Sequence, residues 1–221
     1  PLLTALLYID QTGDLDFLLE RVPYFLDPQA SRATARNEGW TPAYGNTLKD
    51  TRGLTYAGTV FEHLLLQNLV QFFNVGEHNI TRLEGADWND GLDMAAKRGE
   101  SVAFMSFYAG NLNALAGLVE RLSRVRNVSD IEVAREMHVL FDTLSASINY
   151  DDPVAKQSLL FDTYFKSVQP EVSGEKVSLP AAEVAADLRR KATWMMAHIR
   201  KQEKVFSEEN GSASCHQPYP G

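Results

Sequence analysis

Apolar residues recur at three- and four-residue spacing along most of the chain, a period that is typical of amphipathic helices. Residues 2–7 predict a buried helix, and residues 15–19 predict a short helix after the turn at Gly13. Longer helices are predicted at about 54–73, 102–125 and 181–204, with another that begins after Ser129-Asp130 and runs through Leu144, and a weaker one after Pro153. No stretch alternates convincingly as a β-strand would. The pattern therefore predicts an all-α protein built from helical hairpins.

Two long polar stretches interrupt the helical pattern. Residues 31–53 and 74–100 carry glycine, proline and polar residues and show little periodicity. Irregular segments of this length are uncommon in a compact domain unless they serve a site. We therefore expect both to lie on the active-site side of one domain that covers residues 1–221, with an irregular tail at 205–221.

Composition and net charge limit the classes of molecule that the chain is expected to bind. The chain has 221 residues, 44% of them apolar, which is enough for a sizeable core. Its 21 basic and 29 acidic residues give a net charge of −8, and we interpret the run Arg189-Arg190-Lys191 as a solvated helix face. We therefore expect neither nucleic acid nor a membrane surface as a partner. Cys215 is the single cysteine, and we recognise no signal peptide, so a cytoplasmic location is expected.

The segment 83–93 holds the most unusual chemistry, because Asp87, Asp90 and Asp93 crowd around Trp88. Cleavage of a glycosidic bond needs a carboxylic acid that is still protonated near neutral pH. The like charges of Asp87 and Asp93 are expected to raise the pKa of Asp90. The indole of Trp88 offers a flat apolar face for a sugar ring and an N–H for a hydroxyl group.

The same residues also allow less specific interpretations. Acidic, glycine-containing loops serve as plain turns, cation sites or helix caps. A calcium loop is disfavoured, because the spacing lacks alternate-residue ligands and a terminal glutamate, and we predict no metal site. His78, in the irregular stretch before the motif, is a candidate to reach the same site. Glu100 is interpreted mainly as a cap or brace, and Glu62 and His63 as structural residues.

The motif resembles a known signature. The runs are Gly85-Ala86-Asp87-Trp88-Asn89-Asp90-Gly91-Leu92-Asp93 and Gly99-Glu100-Ser101-Val102. They resemble the Gly-Asp-Trp-Asn-Asp-Gly-Met and Gly-Glu-Ser-Val runs of the cellobiose and chitobiose phosphorylases (glycoside hydrolase family 94) and related β-glucan phosphorylases. Residues 8–14, 21–25, 61–63 and 199–203 are similar to other pieces of that family, in the family's order.

This resemblance implies an (α/α)6 barrel, a toroid of six helical hairpins, of which the chain would form part of the catalytic domain. It implies a glycosyltransferase of the glycoside phosphorylase type, which acts with inversion. A β-linked gluco-oligosaccharide and phosphate would give α-glucose 1-phosphate and a shortened acceptor. Inorganic phosphate is then a co-substrate and no cofactor is expected. Asp90 would be the general acid, and the expected substrate-binding residues are Trp88, Asp87, Asn89 and His78.

Two departures from the family pattern bear on the substrate. Ala86 replaces a glycine, and residues 74–83 are longer and more polar than their counterpart, which favours a longer β-glucan substrate. The family's phosphate-binding residues would lie beyond residue 221, and its arginine-rich strip before residue 1. Because the chain also opens on Pro1 without a methionine, we expect it to be part of a longer protein. A homodimer is left open.

Two other functions stay open at this point. An inverting hydrolase on the same barrel needs a second carboxylate about 6.5–9.5 Å from the acid. Asp87 is too near Asp90 in sequence to be a natural choice for that role. The second alternative is a carbohydrate-binding module without catalytic activity.

Overall fold

The computed structural model describes the backbone of residues 1–25, 41–83 and 98–209, and the side chains of these residues as far as Gln202. Described helices are α1 (Leu2–Thr12), α2 (Val60–Phe73), α3 (Val102–Arg126), α4 (Pro153–Gln157), α5 (Phe165–Ser167) and α6 (Ala181–Glu209). A π-helical segment, Ser158–Tyr164, joins α4 to α5. The described chain is thus mostly helical, as predicted, while closure into a barrel stays a prediction.

Local capping explains where the long helices begin and end. The side chain of Thr59 accepts a hydrogen bond from the backbone N–H of Glu62, which starts α2 several residues later than predicted. Ser101 caps α3 in the same way through the N–H of Phe104. Asn127 ends α3 in the left-handed conformation, which asparagine tolerates better than most residues. Helix α3 therefore matches its predicted bounds closely.

The core lies where α2, α3 and α6 meet. Its fully buried side chains include Leu65, Leu69, Leu112, Leu115, Leu122, Val184 and Leu188. By length and composition α3 would also pass as a membrane span, and 44% of its apolar window is buried inside the structure. A core helix passes the same test, and α3 packs against both α2 and α6.

Two antiparallel ribbons correct the all-α expectation. Strand β1 (Arg21–Pro23) pairs with β2 (Ala57–Thr59), and β3 (Asp130–Ala134) pairs with β4 (Lys176–Pro180). The helix predicted after Ser129-Asp130 and through Leu144 is wrong. Ile131 and Val133 alternate into the core from β3, and 3₁₀ turns at Arg135–Leu140 and Asp142–Leu144 follow. A 3₁₀ turn also repeats every three residues, which is why the apolar spacing imitated an α-helix.

A buried ion-pair network corrects the interpretation of the basic run. Lys191 is fully buried on α6, because it shares the inward face with Val184, Leu188 and Met195 at helical spacing. Its ammonium lies 2.7 Å from an Asp142 oxygen and 2.5 Å from an Asp187 oxygen. A buried charge is tolerated only when it is paired in this way. The adjacent Arg189 does lie at the surface, where it pairs with Glu120.

A second buried lysine comes from α4. Lys156 has no exposed surface, and its Nζ lies 3.4 Å from the ring centroid of Trp194 and 4.3 Å from that of Phe72. The same nitrogen donates a 3.1 Å hydrogen bond to Oδ1 of Asn79. Burial lowers the pKa of Lys156 to about 6, although the carboxylates of Asp151 and Asp142 oppose this shift. The amine is therefore mostly neutral at pH 7.

The lowered pKa of Lys156 predicts a pH dependence of folding. Between the folded pKa, about 6, and the unfolded value near 10, the unfolded chain binds a proton that the folded chain does not. The free energy of unfolding should therefore rise with pH over this window. Lys156→Met should flatten that rise in urea titrations between about pH 7 and about pH 9. Lys166→Met, at an exposed lysine, is the control, and equal slopes for wild type and Lys156→Met would contradict the assignment.

Candidate active site

The structure describes one of the predicted site residues, and the other four lie outside the described residues. Asp87, Trp88, Asn89 and Asp90 lie in residues 84–97, outside the described residues. His78 is described, and so are the residues directly before and directly after 84–97. The structure therefore shows how the motif segment is anchored.

The two ends of the motif segment are hydrogen-bonded to each other. The N–H of Leu83 donates to the carbonyl of Gly99 over 2.8 Å, and the N–H of Ser101 donates to the carbonyl of Thr81, also over 2.8 Å. Arg82 and Glu100 form the antiparallel bridge between these bonds. We call these residues, 81–83 and 99–101, the neck. The described residues on either side of 84–97 thus lie next to each other, directly before the first turn of α3.

A tight turn precedes the neck. Val75 and Thr81 form an antiparallel bridge, and the N–H of Gly76 donates to the carbonyl of Ile80 over 2.9 Å. Asn79 holds a left-handed conformation, with φ of 62°, and is buried. We call residues 75–81 the entry turn. It belongs to the irregular stretch predicted before the motif.

The carboxylate of Glu100 fills the entry turn. One oxygen, Oε1, accepts from the backbone N–H groups of His78 and Ile80, both over 3.1 Å. The other oxygen, Oε2, accepts from Nδ1–H of His78 over 2.6 Å. The side chain of Glu100 is only 10% exposed. The interpretation of Glu100 as a brace is therefore confirmed, and this single side chain connects the turn to the neck.

Helices α4 and α6 hold the other side of the entry turn. Nε2–H of His198 donates to the carbonyl of His78 over 2.9 Å, and the ring of His198 stacks on Trp194. The side chain of Asn79 donates to the carbonyl of Tyr150 and accepts from Lys156. The turn is thereby fixed to the helical core.

His78 itself is fixed at three points and open at a fourth. Its backbone N–H and Nδ1 engage Glu100, and its carbonyl engages His198. Its side chain is nevertheless 74% exposed. On the described part of the chain, Nε2 of His78 contacts no partner. An oriented imidazole with one open nitrogen can accept or donate a hydrogen bond to a ligand.

A second polar cluster surrounds Glu62 at the start of α2. Oε1 of Glu62 accepts from the hydroxyl groups of Tyr24 over 2.9 Å and Tyr56 over 3.1 Å. Oε2 lies 3.6 Å from Nζ of Lys176. Burial, and then the Glu62 charge, raise the pKa of both tyrosines. His63 stacks on Tyr24 at 3.6 Å and donates to the carbonyl of Val22, so the structural interpretation of Glu62 and His63 is confirmed.

Sequence reasoning did not find this cluster or the contact between His78 and Glu100. Both join side chains from different segments of the chain, and helical periodicity carries no signal for such pairs. The one usable signal was chemical: a glutamate inside an apolar helix, such as Glu62, needs buried donors, and tyrosines are common ones.

Gly76 gives a stability test of the entry turn. A Cβ at position 76 would lie 2.5 Å from the carboxyl carbon of Glu100. Gly76→Ala should therefore displace that carboxylate and lower the free energy of unfolding by about 1–3 kcal/mol in urea titrations. Gly110→Ala is the matched control, because its Cβ meets open space on α3 and should add up to about 1 kcal/mol. Equal stability of Gly76→Ala and wild type would show that Glu100 is not held in this place.

Comparison with known proteins finds similarity across the motif and its neck. Residues 33–139 match the glycosyl hydrolase 94 superfamily, catalytic domain. Solabiose phosphorylase of Paenibacillus borealis is 29% identical over 144 residues, which cover 64% of this chain. The chain spans only 14% of the length of that relative. These matches confirm the resemblance that the motif indicated: residues 33–139 are similar to the glycosyl hydrolase 94 catalytic domain, and the chain is similar to one glycoside phosphorylase.

Proposed function

We propose that the protein carrying this chain cleaves a β-glucosidic bond by inverting phosphorolysis. The observation that carries the proposal is the Asp87–Asp93 motif, which lies inside the segment that matches the glycosyl hydrolase 94 catalytic domain. The similarity to a phosphorylase supports phosphate rather than water as the attacking group. Inorganic phosphate is then a co-substrate, with no further cofactor, and a cytoplasmic location suits both substrates.

The proposed reaction combines a proton transfer to the leaving oxygen with the attack of phosphate on the sugar. The carboxyl group of Asp90 donates its proton to the glycosidic oxygen as the bond from that oxygen to the anomeric carbon breaks. A phosphate oxygen attacks the anomeric carbon from the opposite face, so a β-glucoside yields α-glucose 1-phosphate and an acceptor with a free hydroxyl group. Phosphate is already an anion at neutral pH, and the attack therefore needs no general base. Asp90 recovers its proton from solvent.

The neighbouring residues take binding roles in this proposal. Trp88 provides the sugar platform, and Asp87, Asn89 and His78 hydrogen-bond hydroxyl groups. The hydrogen-bonded neck supports these roles, because it holds the described residues on both sides of the motif segment next to each other. Glu100 and Ser101 thus serve the site by fixing where the motif segment starts and stops.

For the sugar we propose a class of substrate and not a single compound. The polar entry stretch and Ala86 favour a gluco-oligosaccharide longer than a disaccharide. The relative's name ties it to solabiose, so this sugar belongs among the substrates tested.

The test of the function uses full-length protein with each candidate sugar, with and without phosphate. Release of a sugar 1-phosphate only when phosphate is present supports phosphorolysis. Free sugar released without phosphate would instead show the inverting hydrolase. Binding of the sugar without turnover under both conditions would show a carbohydrate-binding module.

The role of Asp90 has its own prediction. Asp90→Asn in the full-length protein should lower kcat by about 100-fold or more, because general acid catalysis contributes roughly 10²–10⁴-fold. Sugar binding should stay nearly unchanged, as measured by calorimetry. Asp10→Asn, the same chemical change at an exposed position of α1, is the control and should leave kcat unchanged. Loss of folding in Asp90→Asn, seen by circular dichroism, would show that the residue is structural.

A further inference from the structure

Glu100 has a chemical effect on His78 in addition to bracing the turn. Carboxylate oxygens accept hydrogen bonds, and those of Glu100 already accept from the backbone N–H groups of His78 and Ile80, so the hydrogen of the 2.6 Å contact sits on Nδ1 of His78. A neutral imidazole carries one N–H only, and that hydrogen is then committed to Glu100. Nε2 of a neutral His78 is left with a lone pair, which accepts hydrogen bonds.

The rest of the environment leaves this nitrogen available. The 74% exposure of the side chain opens Nε2 to a ligand, while the three fixed points hold the ring in place. The one other acidic residue beside it in sequence, Glu77, is paired with Arg98. The ring is therefore oriented by Glu100 alone among the described carboxylates that contact it.

We propose that Glu100 is a positioning residue: it fixes the Nδ1–H form of His78, so that Nε2 accepts a hydrogen bond from a sugar hydroxyl group. This inference rests on the proposed function, and it specifies the chemistry of one sugar contact. An acceptor with no proton suits a neutral hydroxyl donor, whereas phosphate would need a donor from the protein. Carboxylate partners fix the tautomer of metal-bound histidines by the same physical rule.

Glu100→Gln provides a direct test, because the backbone dictates which end of the amide faces His78. The N–H groups of His78 and Ile80 need an acceptor and should retain the amide oxygen. The amide –NH₂ then faces Nδ1 of His78, which must become an acceptor. The imidazole proton should therefore move to Nε2. Glu77→Gln is the matched control, since it removes a neighbouring charge without touching the ring.

The measurement is the tautomer of His78 by ¹⁵N NMR on selectively labelled full-length protein, at a pH where imidazoles are generally neutral. Wild type and Glu77→Gln should show Nδ1–H, and Glu100→Gln should shift to Nε2–H. The Nε2–H form in wild type, or no change in Glu100→Gln, would overturn the proposed role of Glu100. This readout needs no activity, so it stands apart from a failure of the phosphorolysis assay.

Steady-state kinetics test the sugar contact. His78→Asn places an amide nitrogen near the position of Nδ1, which keeps the bond to Glu100, but it lacks Nε2. It should raise the KM for the sugar by about three- to tenfold, the effect of one hydrogen bond, with kcat and the melting temperature nearly unchanged. Glu100→Gln should raise this KM similarly. Unchanged KM in His78→Asn would overturn the sugar contact even if the tautomer behaves as proposed.

Discussion

One carboxylate, with only a tenth of its side chain exposed, holds together the described part of the candidate site. Glu100 accepts hydrogen bonds from two backbone N–H groups and one imidazole, and it lies at the neck where the motif segment begins and ends. Because the same residue immediately precedes Ser101, the cap of α3, the neck is tied to a helix of the core. A site that must hold a sugar and an acid within hydrogen-bond distance needs this kind of rigid support.

Buried polar groups extend that support into the helical core. Lys156 joins the entry turn to α4 and to the aromatic rings of Phe72 and Trp194, while Lys191 joins α6 to Asp142. Such groups are costly to bury, and they gain their low energy only in one geometry. The polar contacts therefore specify how α4, α6 and the turn meet, whereas apolar packing of α2, α3 and α6 supplies the driving force for folding.

The sequence predicted the parts of the structure that local rules decide. Helices α2, α3 and α6 follow from apolar period and capping residues, and the motif around Asp90 followed from its family resemblance. Strand β3 was missed because its partner β4 is distant in sequence, and Lys191 was misplaced because its burial depends on Asp142 of another segment. The link between His78 and Glu100 has the same origin: hydrogen bonds across a turn leave no periodic trace in the chain.

In the proposed reaction, residues 84–97, which join the neck on both sides, bring the carboxyl group of Asp90 to a glycosidic oxygen. The most direct test is a crystal structure of the full-length protein with an uncleaved β-linked oligosaccharide. We expect the Asp90 carboxyl within about 2.6–3.2 Å of the glycosidic oxygen, with the Trp88 ring under the adjoining sugar. An Asp90 side chain that faces bulk solvent, remote from the bound sugar, would contradict it.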